Sequence, residues 1–418
     1  MTTEATPLHR NRDYVRLTSG QVVEAVGSGM TGMALLLLTF DITGSSAQAG
    51  FVSAAYGIGQ LVLGLPAGAL TDRWNRRRTL VAASVLLAVV MATVPLAHVV
   101  ATITFPHLLA VGFVEGCLAS FIWPAGRAAI KAVVPPTQLG QAATVTQARM
   151  SVGGLVGPAL SGALFAVGRV VPFVANAVLF LGAALAYRSM RAPLPAPDRS
   201  SEAPTSLVHD VGEGLRWVWR TPPIRDMVAT GMIINLAANG IFTVAILALQ
   251  RDGLPPQALG ALESTMGAAA LAGAFVAGVV LRRFAVGVVT VAIIWATAGL
   301  LTLMPLNTSV WWVGGIAAAV SLAWPTINAG MGAFSLHITP DAMQGRVGSA
   351  SSFVSMAMMP LGIGAAGVLL EHWGRTPALL SYTALLTVAG ALVTLSRHIR
   401  TIPRTSEFAA IAEAATQR

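Results

Sequence analysis

Apolar residues run in long blocks along this chain, and polar residues are confined to the gaps between them. Blocks of about 20 residues recur twelve times, the length at which a helix spans the hydrocarbon of a bilayer. The pattern predicts spans at about Leu17–Phe40, Gly50–Leu70, Thr79–Val100, Thr104–Val133, Gly140–Ala166 and Val170–Tyr187. A second set follows at about Arg225–Leu249, Pro256–Leu281, Val286–Leu306, Val310–His337, Arg346–Leu370 and Pro377–Ser396.

Between the sets, Arg191–Pro223 breaks the pattern. Its first part is rich in Pro, Ser and Ala and reads as a flexible linker. Leu207, Val208, Val211, Leu215 and Val218 then recur at helical spacing, until Pro222 and Pro223 stop the helix. This predicts an amphipathic helix, lying on the inner membrane face or packed on cytoplasmic loops. The expected organisation is a bundle of six helices over 1–190, a linker over 191–223, and a second bundle with a short tail over 224–418.

The two sets repeat one another. Trp123-Pro124 recurs about 200 residues later as Trp324-Pro325, and Pro158 recurs at a similar offset as Pro360. Parallel repeats of this kind place a substrate site near the midplane, where the halves meet.

Composition sharpens the class. Of 418 residues 55% are hydrophobic and 10% charged, where a soluble protein carries about a quarter charged. The net charge of +9 sits in the tails and in alternate gaps, the positive-inside pattern, and not in a stripe suited to nucleic acid. That places both termini in the cytoplasm and the chain in the inner membrane. Cys117 is the single cysteine, which excludes an intrachain disulfide or a cysteine metal cluster. The first residues lack a signal-peptide core and cleavage site, so the first span reads as an uncleaved anchor. No glycine-rich ATP loop, metal-ligand spacing or catalytic constellation is present, and no cofactor is expected.

The densest charge lies in Gly68-Ala69-Leu70-Thr71-Asp72-Arg73-Trp74-Asn75-Arg76-Arg77-Arg78-Thr79-Leu80. Gly68 is read as letting a helix end approach its neighbour, Asp72 as offering a carboxylate to the first turn of another helix. The pattern resembles the loop between helices 2 and 3 of major facilitator superfamily transporters. It departs at Asn75, where that family has Gly; Asn is the next best residue for a left-handed turn. The run Gly153-Gly154-Leu155-Val156-Gly157-Pro158-Ala159-Leu160-Ser161-Gly162 looks like the antiporter motif of exporters in that superfamily. Thr43-Gly44-Ser45, Trp123-Pro124-Ala125, Glu213-Gly214-Leu215-Arg216, and Pro340-Asp341 with Gly345-Arg346-Val347 resemble the macrolide-efflux and enterobactin-exporter type of drug:proton antiporter.

The resemblance implies an all-α fold of twelve transmembrane helices in two pseudo-symmetric bundles. It implies a gating loop of Gly68, Asp72, Arg73, Arg76 and Arg77, and an antiporter motif of Gly153, Gly157, Pro158 and Gly162. Proton-coupled members carry an Arg in the fourth span; here Gly112 of Gly112-Phe113-Val114-Glu115-Gly116 takes that place. A carboxylate then acts without it, or with Arg127 or Arg149.

Ionised carboxylates inside apolar spans are costly unless paired, which singles out three residues. Glu24 shares a helical face with Gln21 and Ser28, and first spans line the cavity of this fold; it is read as a coupling residue or as a group tied into packing by Arg127 or Arg149. Glu115 is near mid-depth of the fourth span. Glu263 lies about two turns from the outer face and suits a rim. Arg127, Lys131 and Arg149 read as snorkelling or paired with Asp72 or Asp341, or as charges along a substrate path. Asn235, Asn239 and Thr243 form one stripe, and Ser321, Trp324 and Asn328 another, facing a cavity or hydrogen-bonded between helices. Met356, Met358 and Met359 supply an adaptable apolar wall or plain packing.

The reading is a proton-driven exporter of amphipathic, drug-like or siderophore-like molecules. It works as a monomer without a partner protein, with cavity residues Gln21, Trp123, Asn235, Asn239, Trp324 and Asn328. A proton symporter or facilitator for uptake is the alternative, and a non-transporting receptor or scaffold a remote one.

Overall fold

The computed structural model describes residues 7–192, 207–340 and 343–408, together with most side chains in them. Asp341, most of the Pro/Ser-rich linker, and the side chains of Asp72, Leu207, Val208 and Val211 lie outside the described residues. The chain divides into two compact units, Met1–Pro204 with Leu254–Ser264, and Thr205–Gly253 with Thr265–Arg418.

The first half forms α1 (Arg12–Thr43), α2 (Ser46–Arg73), α3 (Arg76–Val100), α4 (Phe105–Val133), α5 (Leu139–Val167) and α6 (Val171–Arg188). The second forms α7 (Leu207–Arg220), α8 (Pro222–Arg251), α9 (Pro256–Arg283), α10 (Val286–Leu303), α11 (Val310–Ile338), α12 (Gln344–Trp373), α13 (Arg375–Leu395) and the short α14 (Arg397–Arg400). Among the described residues eleven helices are long and apolar enough to cross a bilayer, and α2, at 28 residues, is the twelfth long helix. Large apolar side chains stay exposed on the flanks, Trp311, Val99 and Phe275 among them, as a lipid-facing surface requires.

Short polar residues set the helix ends. Gly44, at φ +65°, terminates α1 in the left-handed region that favours glycine, and Ser45 caps α2 by accepting from the Gln48 amide. Asn75 corrects the sequence expectation. Its φ of −65° is not left-handed; its side chain accepts from the Arg78 amide at 3.1 Å and caps α3. An N-cap favours Asn over Gly, which explains the departure from the family pattern. Gly68 is corrected as well, because nothing lies within 4 Å of the place its Cβ would occupy.

Inside unit 1, α1 packs on α5 and α6, α2 on α4, and α3 on α6 and α4. Lipid tails are as apolar as leucine, so close packing and not water exclusion holds such helices together. Glycines provide it. A Cβ on Gly116 would collide with the Tyr56 carbonyl, one on Gly59 with the Phe113 carbonyl, and one on Gly112 would stand 2.8 Å from the Val52 carbonyl. Gly112 therefore replaces the family's arginine at a seam where two backbones touch. Gly153 and Gly157 of α5 meet Ala25 and Gly29 of α1 in the same way.

Polar pins close one end of this unit. Asn11 donates to the Val133 carbonyl (2.8 Å), Asp13 accepts from the Arg191 and Ala192 amides (2.8 and 2.9 Å), and Arg77 donates to the Met190 carbonyl (2.7 Å).

Inside unit 2, α8 packs on α12 and α13, and α10 on α13 and α11. The amphipathic α7 lies along α12: Gly214 meets the Arg346 backbone, Glu213 pairs with Arg346 at 2.9 Å, and Val218 joins Ile224, Val228 and Val347. After α13, the chain folds back on α10, where the Val286 and Gly287 amides donate to the carbonyls of Pro403 and Ile402.

Candidate functional site

Unit 1 holds an open cavity of about 380 Å³ lined by residues of α1, α2, α4 and α5. The small faces of Ala25, Gly29, Gly153 and Gly154 leave the space, and Glu24, Ser28, Tyr56, Gln60, Trp123 and Arg149 furnish it. Glu24 accepts a hydrogen bond from Ser28, one turn on, at 2.9 Å. Tyr56 accepts from Gln60 at 2.8 Å, also one turn on. Arg149 is buried, 7% exposed, and its Nε has no hydrogen-bond partner. No carboxylate among the described residues comes within ion-pair distance of it. The guanidiniums of Arg127 and Arg149 stand over the Trp123 ring at 6.0 and 5.9 Å, a cation–π arrangement.

Glu115, on α4, is not among the residues that line this cavity. It is 1% exposed and neither carboxyl oxygen has a hydrogen bond. The hydroxyl beside it, Thr31, is committed elsewhere: it donates to the Gly27 carbonyl (3.2 Å) and accepts from Asn176 (2.6 Å).

The other expected residues separate. Gln21 is buried at 3% exposure, its amide filling the space left by Gly126, so it joins α1 to α4 and does not line the cavity. Glu263 belongs to the start of α9 grouped with unit 1, where Gly260 packs on Pro158 and Gly162; its Oε2 is buried without a partner, away from the Glu24 cavity. Arg73 lines a crevice beside Trp74, which stacks on Phe121 at 5.9 Å.

Unit 2 encloses its own cavity of about 400 Å³, lined by Asn235, Trp324, Asn328, Met331 and Met356 among others. No ionisable side chain lines it. The polar stripe of α8 is satisfied along its own helix: Asn235 donates to the Gly231 carbonyl, Asn239 to that of Asn235, and Thr243 to that of Asn239. The interhelical bonds considered for these amide donors do not form, and Asn239 lies outside the cavity lining. Trp123 and Trp324, the repeated pair, each line the cavity of their own unit.

Sequence reasoning missed Tyr56 and Gln60. Their signal was present as two polar side chains four residues apart in an otherwise apolar span, the same signature that marked Glu24 and Ser28.

Long apolar helices around two cavities, one with a buried arginine and a carboxylate and one without ionisable side chains, fit a membrane protein that moves small molecules. The chain belongs to the Major Facilitator Superfamily, whose sequence profile matches residues 17–363. It is similar to the multidrug efflux pump Tap of Mycolicibacterium fortuitum, with 26% identity over 412 residues, 94% of this chain and 97% of that protein. It is 22% identical to macrolide efflux protein A of Streptococcus pyogenes over 55% of this chain and 57% of that one. The solved nucleoside transporter NupG shares the fold, with a TM-score of 0.74 at 12% identity over 92% of this chain and 98% of that one. The chain is a secondary transporter, a multi-pass protein of the cell membrane.

Proposed function

We propose that this transporter exports amphipathic small molecules in exchange for protons, by alternating access. The observation that carries the reading is the cavity of unit 1, lined by Glu24 and Arg149 without an ion pair between them, with Glu115 buried elsewhere in the same unit. Charge is expensive at such depth, so carboxyl groups there are suited to taking and releasing a proton as access changes. Glu24, open to the cavity, is the coupling residue in this reading, with Glu115 as its reserve. The apolar cavity around Asn235, Trp324, Asn328 and Met356 suits amphipathic cargo. The similarity to proteins named as efflux pumps supports the outward direction.

With a potential of about 100 mV, each proton moving inward supplies about 2.3 kcal/mol, enough for about 50-fold accumulation. In this reading both termini are cytoplasmic, the working unit is a monomer, and bundles over 1–190 and 224–418 are joined by the linker 191–223. Gly68, Asp72, Arg73, Arg76 and Arg77 gate the inner side.

The test is a growth-inhibition panel in a host lacking its own pumps, spanning lipophilic cations, macrolides, tetracyclines and catecholate siderophores. Expression is expected to confer resistance that a protonophore removes. Resistance that persists under the protonophore would refute proton coupling, and sensitivity to the whole panel would refute drug export.

A further inference from the structure

A second cavity of unit 1, about 440 Å³, opens on the other side of Trp123. Its polar lining is Arg76, Arg127 and Lys131, and no acidic side chain lines it. Trp123, Arg127 and Lys131 fall on one face of α4 at successive spacings of four, and Arg76 joins them from the first turn of α3. None of the three cations has an ion pair among the described residues, and the Nε of Arg76 is buried without a hydrogen-bond partner. Lys131 is the only lysine of the chain.

Arg127 and Lys131 are exposed, and with Arg76 they line one open cavity. Like charges gathered around one pocket repel, and an anion between them relieves the repulsion. Guanidinium groups present paired N–H donors that match carboxylate, sulfonate or phosphate oxygens. Trp123, 43% exposed and held by Arg127 and Arg149, adds a flat apolar face beside those donors.

We infer that this cavity binds an organic anion: its acidic group is held by Arg76, Arg127 and Lys131, and its planar apolar body lies against Trp123. The inference rests on the transporter reading and narrows it, naming planar organic acids as the preferred cargo.

The experiment is equilibrium binding of radiolabelled 2-naphthoate to the full-length protein in phosphatidylcholine nanodiscs, with no ion gradient. Saturable binding is expected, with the neutral isostere 2-naphthamide competing about tenfold less well or worse. Arg127→Gln and Lys131→Gln are each expected to weaken binding about tenfold, and Arg127→Lys to restore part of it. A melting curve for each variant separates lost binding from lost fold. Absence of saturable binding, equal competition by the amide, or unchanged affinity in folded Arg127→Gln would overturn the inference. A repeat in phosphatidylglycerol nanodiscs distinguishes the source of the anion: unchanged affinity supports a soluble acid, while loss of naphthoate binding assigns the site to a lipid headgroup and overturns it. Binding is read without a gradient, so failure of proton coupling leaves this result standing.

Discussion

Glu115 and Glu24 are both carboxyl groups in apolar helices, yet their surroundings differ. Glu24 has Ser28 and an open cavity, whereas Glu115 has no hydrogen bond and almost no exposure. A buried polar group without partners weakens a fold, and replacing it with an apolar group of the same length removes the cost. Glu115→Met is therefore expected to raise the melting temperature by a few degrees, about 1–3 kcal/mol. A lowered melting temperature would show a stabilising interaction that the geometry does not contain. The sequence singled out both residues because charge is rare in these spans. It could not rank them, since ranking depends on the neighbours that packing brings to each. Asn75 and Gly68 show the same limit: residue type gave a set of allowed roles, and only the backbone chose the cap and the open face.

Helix periodicity and length were legible throughout, because an apolar block of about 20 residues has few other fates. The partners of each helix were less so. The pattern Gly112 to Gly116 was visible, but it read as a missing arginine and not as the seam with α2, since nothing in one helix announces which backbone will lie against it. The seam predicts a graded outcome. Gly116→Leu drives a side chain into the Tyr56 carbonyl and is expected to abolish folded protein, a loss of more than about 3 kcal/mol. Gly299, inside α10, has nothing within 4 Å, so Gly299→Ala is expected to be neutral or stabilising by up to about 1 kcal/mol. Size-exclusion profiles and thermal unfolding in detergent check both, and equal tolerance of the two substitutions would contradict the packing described.

At the scale of the molecule, the two halves repeat in sequence but divide the chemistry. Trp123-Pro124 and Trp324-Pro325 hold corresponding places in α4 and α11, each Trp lining a cavity. The two cavities described in the first unit carry ionisable side chains, and the one described in the second does not. The repeat was legible from the tryptophan-proline pairs. The division was not, because it depends on which side chains the packing gathers around each cavity.

Coupling in this account resides in the first half, and its most direct test is uptake by inside-out vesicles, which read cellular export as inward movement. Vesicles with a proton gradient, acidic inside, would be given whichever panel compound expression protects against. Wild-type protein is predicted to accumulate the compound until a protonophore is added. Glu24→Gln is predicted to abolish gradient-driven accumulation while keeping wild-type thermal stability. Full accumulation by Glu24→Gln, or accumulation by the wild type that survives the protonophore, would contradict the account.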